Sequence, residues 1–145
     1  KWLKVLKKPD VIIFEGWCVG AKAQKKNSLI KAVNELERLE DKNLEWRKKV
    51  NYELKNDYKK IFELIDILIF LKVPSFRYVY KWRLLQEKKL QKISKGKKIM
   101  DRKKIKKFIM FYERTTINML ETLDNVAKVL IDIDTKHRLK SIKFN

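Results

Sequence analysis

Three short stretches of the chain are apolar at consecutive positions instead of alternating with polar ones. They are Val11 to Glu15, Asp66 to Lys72 and Lys128 to Asp132. Continuous apolar runs of about four to eight residues are typical of strands buried on both faces. The pattern therefore predicts three strands of a parallel sheet that helices cover on both sides.

Helical segments are expected between these runs, because apolar residues recur there every three or four positions. The expected helices are Asn34 to Glu40, Trp46 to Ile65, Ser75 to Ile93 and Asp101 to Leu123. Ser75 and Asp101 are suitable N-cap residues. Strands that alternate with long helices indicate an α/β fold built from right-handed crossovers.

The apolar face of the helix expected from Ser75 is interrupted by charged residues. Arg83 and Glu87 stand where the apolar stripe would continue, beside Trp82 and Gln86. A surface ion pair between residues four apart would explain this pattern. It is explained equally by a helix face that lines a cleft, where an arginine could bind a phosphate and Trp82 could shield it.

The composition fits one globular domain. The chain has 145 residues, of which 45% are hydrophobic and 38% are charged. No apolar run reaches the roughly 18 residues that span a bilayer, so no membrane is expected as a partner. A single cysteine excludes a disulfide framework within the chain, and we expect a reducing, cytoplasmic location.

The formal net charge of +19 is the feature that most suggests nucleic acid. Lysines nevertheless far outnumber arginines and are spread along the whole chain, whereas proteins that read bases and phosphates favour the planar fork of arginine. Only Lys95 to Lys107 is dense enough to form a local basic patch. We therefore expect the charge to reflect general composition, and nucleic acid is not the expected partner.

Four segments carry a resemblance to a known family. The chain contains, in this order, FEGWCVGAKAQ, VNELERLEDKNLEWRKKVN, PSFRYVYKWRLLQE and MDRKKIKKFIMFYERTT. Together they resemble the D-glycerate 3-kinase family, P-loop kinases related to phosphoribulokinase, uridine kinase and pantothenate kinase. The resemblance extends from Pro9 to about Arg138. It implies ATP-dependent phosphorylation of D-glycerate to 3-phosphoglycerate, with Mg²⁺.

The resemblance also implies an incomplete fold. The family implies the three-layer α/β/α fold of P-loop NTPases, with a parallel sheet. The Walker A motif of that fold, GxxxxGK[ST], does not occur in this sequence. Residues 1–145 would be the C-terminal part of one kinase domain, with a lid at about residues 75–100. Strand 1 and the Walker A loop would belong to a missing N-terminal half, which we expect to be a partner. The first two predicted strands would then flank a slot one strand wide, and the chain alone would be inactive.

Glu15 ends the first predicted strand, and active sites of this fold class lie beyond the carboxyl ends of the parallel strands. The resemblance implies that Glu15 is a catalytic acid that binds Mg²⁺ or its water, and that Trp17 keeps water from the acceptor. The alternative for Glu15 is a carboxylate that caps a neighbouring helix. We expect Cys18 to be a small packed thiol.

The second segment supplies candidate substrate-binding residues. The resemblance implies that Asn34 and Glu37 contact the acceptor or metal-bound water. It also implies that Arg47 could bind the glycerate carboxylate through two parallel hydrogen bonds. Packing and helix capping remain the alternative for all three residues.

The third segment resembles a kinase lid. Arg83 would be a catalytic and nucleotide-binding residue that reaches the transferred phosphoryl group as charge develops on it. Trp82, Gln86 and Glu87 would lie on the substrate side, and the last two would position Arg83. Arg77 departs from the family, in which an acid is expected at this place.

Two further residues, and the function itself, leave alternatives open. Arg114 is either a structural ion-pair partner or a phosphate ligand. His137 lies where the resemblance implies contacts to the nucleotide. Another kinase related to phosphoribulokinase or uridine kinase would share the same features. A basic nucleic-acid-binding module would use Lys95 to Lys107, and a non-catalytic interaction protein would need none of these residues.

Overall fold

The computed structural model describes residue 4, residues 6–93 and residues 99–145. Its helices are α1 (Glu35–Glu40), α2 (Glu45–Lys55), α3 (Asp57–Phe62), α4 (Phe76–Ile93) and α5 (Arg102–Thr122), preceded by a 3₁₀ turn at Lys26–Leu29. Its strands are β1 (Ile69–Lys72), β2 (Val129–Ile133) and β3 (Leu139–Phe144). Residues 94–98 lie outside the described residues. They include the start of the lysine-rich cluster at Lys95 and most of the C-terminal end of the expected lid.

The sheet has the order β1-β2-β3. β1 and β2 run parallel, with Ile69 opposite Val129 and Lys72 opposite Asp132, so the second and third predicted strands are confirmed. β3 pairs antiparallel with β2 and was not predicted. Its sequence, LKSIKF, is polar at three of its six positions and mostly exposed, so it lacks the continuous apolar signal that marked the other two strands.

The first predicted strand, Val11 to Glu15, is absent, and this prediction was wrong. The segment has no regular structure, and Ile13 is 88% exposed. A strand needs a hydrogen-bonding neighbour, and none of the strands in the described part of the chain lies beside this segment. An apolar sequence favours a strand, but it forms one only where a partner strand is available for pairing.

β1 is an edge strand in the sheet that the structure describes, because it pairs only with β2. Its outward side chains Ile69 and Leu71 are 55% and 61% exposed. Apolar side chains on an unpaired strand edge are unusual, because such an edge invites pairing with another strand. This open edge, together with the exposed segment before Glu15, matches the expected incomplete sheet.

Helix α5 packs on the sheet and forms the core. Its residues Met119 and Leu123 pack with Ala21, and Leu68 and Phe70 of the sheet region close the cluster. Cys18 packs there too, as expected, and burial raises the pKa of its thiol.

The turn at Gly20 places the next residue, Ala21, in the core, and glycine is the residue that adopts this turn without strain. Its φ is +80°, and a Cβ at this position would lie 2.8 Å from Cδ2 of Leu68. The loop before α1 is therefore held close to β1.

The helix boundaries follow local hydrogen bonding. The Asp101 carboxylate accepts from the backbone N–H of Lys104 at 2.8 Å and caps α5, as predicted. The helix expected from Trp46 to Ile65 is instead split into α2 and α3 at Asn56, whose side chain donates to the carbonyl of Tyr52 at 2.7 Å. An asparagine that bonds the local backbone competes with the helix ladder. No helix among the described residues is long and apolar enough to cross a membrane.

Replacing Leu123 with alanine tests the core. Leu123 is fully buried beside Met119, so the substitution leaves a cavity and should lower the free energy of unfolding by about 2–5 kcal/mol. The matched control is Leu64→Ala at a position that is 80% exposed, where we expect a change below about 0.5 kcal/mol. Urea denaturation of both variants makes the comparison, and equal effects would contradict this description of the core.

Candidate active site

Helix α5 brings Trp17 and Arg83 onto one surface. The Trp17 ring meets Tyr112 edge-on with centroids 4.8 Å apart, and Tyr112 contacts Phe108 at 5.0 Å. The Arg83 guanidinium lies 5.5 Å from the centre of the Phe108 ring, within the range of a cation–π contact. Two aromatic rings one helical turn apart therefore connect the loop after Glu15 to α4.

The Arg83 guanidinium is held by its neighbours on α4. One terminal nitrogen donates to Oε1 of Gln86 at 2.5 Å, and the other donates to Oε1 of Glu87. Glu87 is only 4% exposed, and its Oε2 accepts from the backbone N–H of Met100 at 3.1 Å. Buried Nε of Arg83 has no hydrogen-bond partner among the described residues. Glu87 thus ties the arginine to the chain that enters α5.

Trp82 and His137 form a stacked pair between α4 and the β2–β3 turn. Their ring centroids are 4.2 Å apart and the planes differ by 17°. His137 has a φ of +63°, and the backbone N–H groups of Lys136 and Arg138 donate to the Asp134 carboxylate across the same turn. The nucleotide-contact role of His137 remains a prediction, but the structure brings it against a predicted lid residue.

Glu37 is the centre of a second group of predicted residues. Its carboxylate accepts two hydrogen bonds from Arg114, both 2.7 Å long, and lies 3.7 Å from a terminal nitrogen of Arg47. Arg114 also donates to the carbonyls of Ser28 and Lys31. One buried acid on α1 therefore joins α2, α5 and the preceding loop.

Arg47 is buried, and protein oxygens accept from its guanidinium. Its Nε donates to Oδ2 of Asp41 at 2.8 Å, and its terminal nitrogens donate to the carbonyls of Leu29 and Asp41 at 2.9 and 2.6 Å. These contacts anchor the start of α2. The predicted role of Arg47 toward a substrate carboxylate remains a prediction, and the donors that it would use are occupied here.

Asp41 is held in its ionised form. Burial alone would raise the pKa of its carboxyl group, but hydrogen bonds from the Arg47 side chain and from the backbone N–H groups of Trp46 and Arg47 outweigh burial and lower the pKa below 3.8. The sequence analysis missed Asp41. Its signal was a carboxylate placed just before a helix start, which is a common capping arrangement.

Asn34 caps α1 and reaches α5. Its Oδ1 accepts from the N–H of Glu37 at 3.0 Å, while its Nδ2 donates to the carbonyl of Met110 and to Glu113. Burial raises the pKa of the Glu113 carboxyl group, although the hydrogen bond from Asn34 opposes that shift. The capping alternative for Asn34 is therefore present in the structure, and its substrate role remains a prediction.

Glu15 is exposed on the loop that leads to Trp17. The residues described here contain no group of three or more histidine, cysteine, aspartate or glutamate side chains that could hold a metal ion. Magnesium in kinase sites needs only one or two protein carboxylates, because water and substrate phosphates supply its other ligands. The single carboxylate of Glu15 fits that requirement, and its metal role remains a prediction.

A small pocket, with a cavity volume of about 50 Å³, opens between α2 and α5. Its apolar wall comes from residues of both helices, Trp46, Val50, Leu54, Met110 and Phe111. Its polar lining includes the predicted residues Glu37 and Arg47. A small ligand with an apolar body and several polar groups fits a concave site of this kind.

Sequence reasoning assigned no role to several polar residues of this pocket, although Asn51 ends one of the four segments that carry the resemblance. Lys22, Asn51, Thr115 and Asn118 line it. Asn51 pairs with the backbone of Gln24, and Asn118 donates to the carbonyl of Lys22 at 2.7 Å. These contacts join residues 27 and 96 positions apart in the chain, so no local pattern could have indicated them.

Comparisons with known proteins find similarity to two proteins that are named as kinases. No family model matches the chain. It is 34% identical over 128 residues to "Uncharacterized kinase mug58" of Schizosaccharomyces pombe, an alignment that covers 86% of this chain and 44% of that protein. A solved D-glycerate 3-kinase from Cryptococcus neoformans has a TM-score of 0.75, with 21% identity, over 99% of this chain and 52% of that one.

The fold is therefore a mixed α/β fold similar to that of a P-loop kinase, in incomplete form. One solved protein with this fold is a D-glycerate 3-kinase, which is the family that the sequence segments resemble. The chain spans about half the length of the relatives it matches.

Replacing Glu37 with glutamine tests the buried acid. Glutamine keeps the shape but removes the charge that faces Arg47 and Arg114, so the free energy of unfolding should fall by about 3 kcal/mol. The control is Glu35→Gln on the same helix, because its pair with Arg38 is exposed and should contribute less than about 0.5 kcal/mol. Chemical denaturation distinguishes the two, and a Glu37 effect as small as the Glu35 effect would contradict this arrangement.

Asp41 predicts a pH-dependent contribution to stability. Its pKa is lowered in the folded chain, so its stabilisation is present above the ordinary pKa of 3.8 and is lost as pH falls through the folded value. The difference in unfolding free energy between wild type and Asp41→Asn should therefore narrow below pH 3.8. Denaturation series from neutral to acid pH measure that difference, and a constant difference would refute the assignment.

Proposed function

We propose that this chain is the acceptor-binding and lid half of an ATP-dependent kinase that phosphorylates D-glycerate to 3-phosphoglycerate. The observation that carries the proposal is the fold shared with D-glycerate 3-kinase along 99% of the chain. The 34% identity to a protein named as a kinase supports the same class. The nucleotide phosphates would be bound by the half that precedes this chain in the longer protein.

The reaction joins the acceptor hydroxyl oxygen to the γ-phosphorus of ATP. The bond between that phosphorus and the bridging oxygen breaks, ADP leaves, and the hydroxyl proton passes to a base or to solvent. Such a transfer requires positioned charge more than covalent participation by the protein. When bound, Mg²⁺ supplies charge neutralisation at the phosphate oxygens, and Glu15 is the carboxylate of this chain that would hold it.

Arg83 is the residue that we assign to the transferred phosphoryl group. Its guanidinium is fixed by Gln86 and Glu87, so little reorientation is needed to meet a developing negative charge. Each terminal nitrogen carries a second N–H besides the one that Gln86 or Glu87 accepts, and that second N–H could donate to a phosphate oxygen. The Phe108 ring beside it, with Tyr112 and Trp17 packed in sequence behind that ring, would help to exclude water.

His137 and Trp82 are the residues that we assign to the nucleotide and substrate sides of the lid. Their stack joins the lid helix to the β2–β3 turn, so a nucleotide bound at that turn would contact the helix that carries Arg83. The arrangement gives one route by which nucleotide binding could position the lid.

The acceptor is tested with the protein expressed from its complete reading frame. ATP-dependent release of ADP should be fastest with D-glycerate among small hydroxy acids, nucleosides and pantothenate. Faster turnover of uridine or pantothenate would instead identify a different kinase of the same fold. Absence of ADP release with every acceptor would refute the proposed function.

Replacing Arg83 with lysine tests the lid assignment. Lysine keeps the charge but cannot reproduce the planar donors that Gln86 and Glu87 now hold, so kcat for D-glycerate should fall about 100-fold. The control is Arg77→Lys, an exposed arginine on the same helix that should leave kcat within about twofold. Steady-state kinetics of both variants decide the matter, and an Arg83→Lys enzyme with wild-type kcat would sink the assignment.

A further inference from the structure

We infer, building on the proposed kinase function, that the pocket between α2 and α5 is the acceptor site and that Lys22 is the cation that pairs with the acceptor carboxylate. The sequence analysis assigned this role to Arg47. The structure instead shows that protein oxygens accept hydrogen bonds from the Arg47 guanidinium, which leaves the carboxylate of a ligand in need of another partner.

The charges that line the pocket match a ligand with one negative charge. Two acids, Glu37 and Asp41, are paired with the two arginines Arg47 and Arg114. Lys22 is the remaining charged group of the lining, and no carboxylate partner of its ammonium group is found in the described ranges. The lining therefore carries one net positive charge, which suits a monocarboxylate and not a phosphorylated product.

The backbone of Lys22 is fixed at the edge of the pocket. Its carbonyl accepts from Nδ2 of Asn118 at 2.7 Å, and Asn118 is only 7% exposed on α5. The neighbouring residue Ala21 is buried in the core after the glycine turn at Gly20. The side chain of Lys22 is exposed, so its flexible four-carbon stem can place the ammonium group over the pocket.

The same loop links the pocket to the lid surface. Trp17 contacts Tyr112 of α5, and five residues later Lys22 contacts Asn118 near the end of that helix. A ligand held by Lys22 would therefore lie beside the loop that carries Trp17 and follows Glu15. The loop is therefore common to the pocket and to the surface that carries Trp17.

Thr115 is the residue that suits recognition of an acceptor hydroxyl. It lines the pocket between Arg114 and Asn118, and its hydroxyl has no hydrogen-bond partner in the part of the chain that the structure describes. The apolar residues Trp46 and Val50 on the opposite wall can contact the carbon chain. Together these groups select a short hydroxy acid with one carboxylate.

The test compares Lys22→Met with Lys26→Met in the protein expressed from its complete reading frame. Both lysines are exposed and near each other in the chain, but Lys26 does not line the pocket. We expect Lys22→Met to raise KM for D-glycerate at least about tenfold, with kcat and KM for ATP within about threefold. Lys26→Met should leave all three constants unchanged, and Lys22→Arg should recover most of the affinity because it restores the charge.

Calorimetric titration of D-glycerate without ATP separates this inference from the kinase proposal. Phosphorylation of D-glycerate with an unchanged KM in Lys22→Met would overturn the inference and leave the kinase function standing. Binding that depends on Lys22 without any phosphorylation would support Lys22 as the partner of the ligand carboxylate and overturn the kinase function. Titration of wild type that shows no binding, in a protein that unfolds at its normal temperature, would overturn the inference as well.

Discussion

The buried carboxylate of Glu37 is the group on which the rest of this structure depends. Arg114 from α5 grips it with two hydrogen bonds, and Arg47 from α2 approaches the same carboxylate. A buried ion pair adds little net stability over a well-packed apolar cluster, but loss of one partner leaves uncompensated charge in a poorly solvated place. The arrangement therefore specifies how the helices assemble more than it strengthens them. It fixes the two walls of the pocket, because α2 and α5 contribute those walls.

Helix α5 carries three separate structural tasks on three parts of its surface. Met119 and Leu123 pack in the core against Ala21 and the sheet. Arg114 and Asn118 hold the loop and helices that surround the pocket. Phe108 and Tyr112 carry the aromatic surface under Arg83 and Trp17. A side chain every three or four positions faces the same way, so one helix of this length can contact the sheet, the pocket and α4 at once.

The sequence predicted most of the helices and two of the strands, but only part of the candidate site. Helix α4 and the Asp101 cap were predicted from local signals, since caps and apolar periodicity involve residues close in the chain. The pairing of Glu37 with Arg114 was not, because its partners are 77 positions apart. Val11 to Glu15 had the composition of a strand, yet pairing, and not composition, makes a strand.

The sequence by itself determined the chemical groups: Arg83 with its neighbouring glutamine and glutamate, the acid after the first apolar run, and the likeness to a kinase. Local bonding along one helix was enough to join Arg83 to Gln86 and Glu87. Only the tertiary structure decided which side chains keep hydrogen-bond donors available for a ligand. In the fold, buried oxygens accept from Arg47, whereas Lys22 lines the pocket with an exposed side chain. The fold also stacks Trp82 on His137. The physical reason is that burial and hydrogen-bond saturation depend on residues brought together from distant parts of the chain, which no spacing rule records.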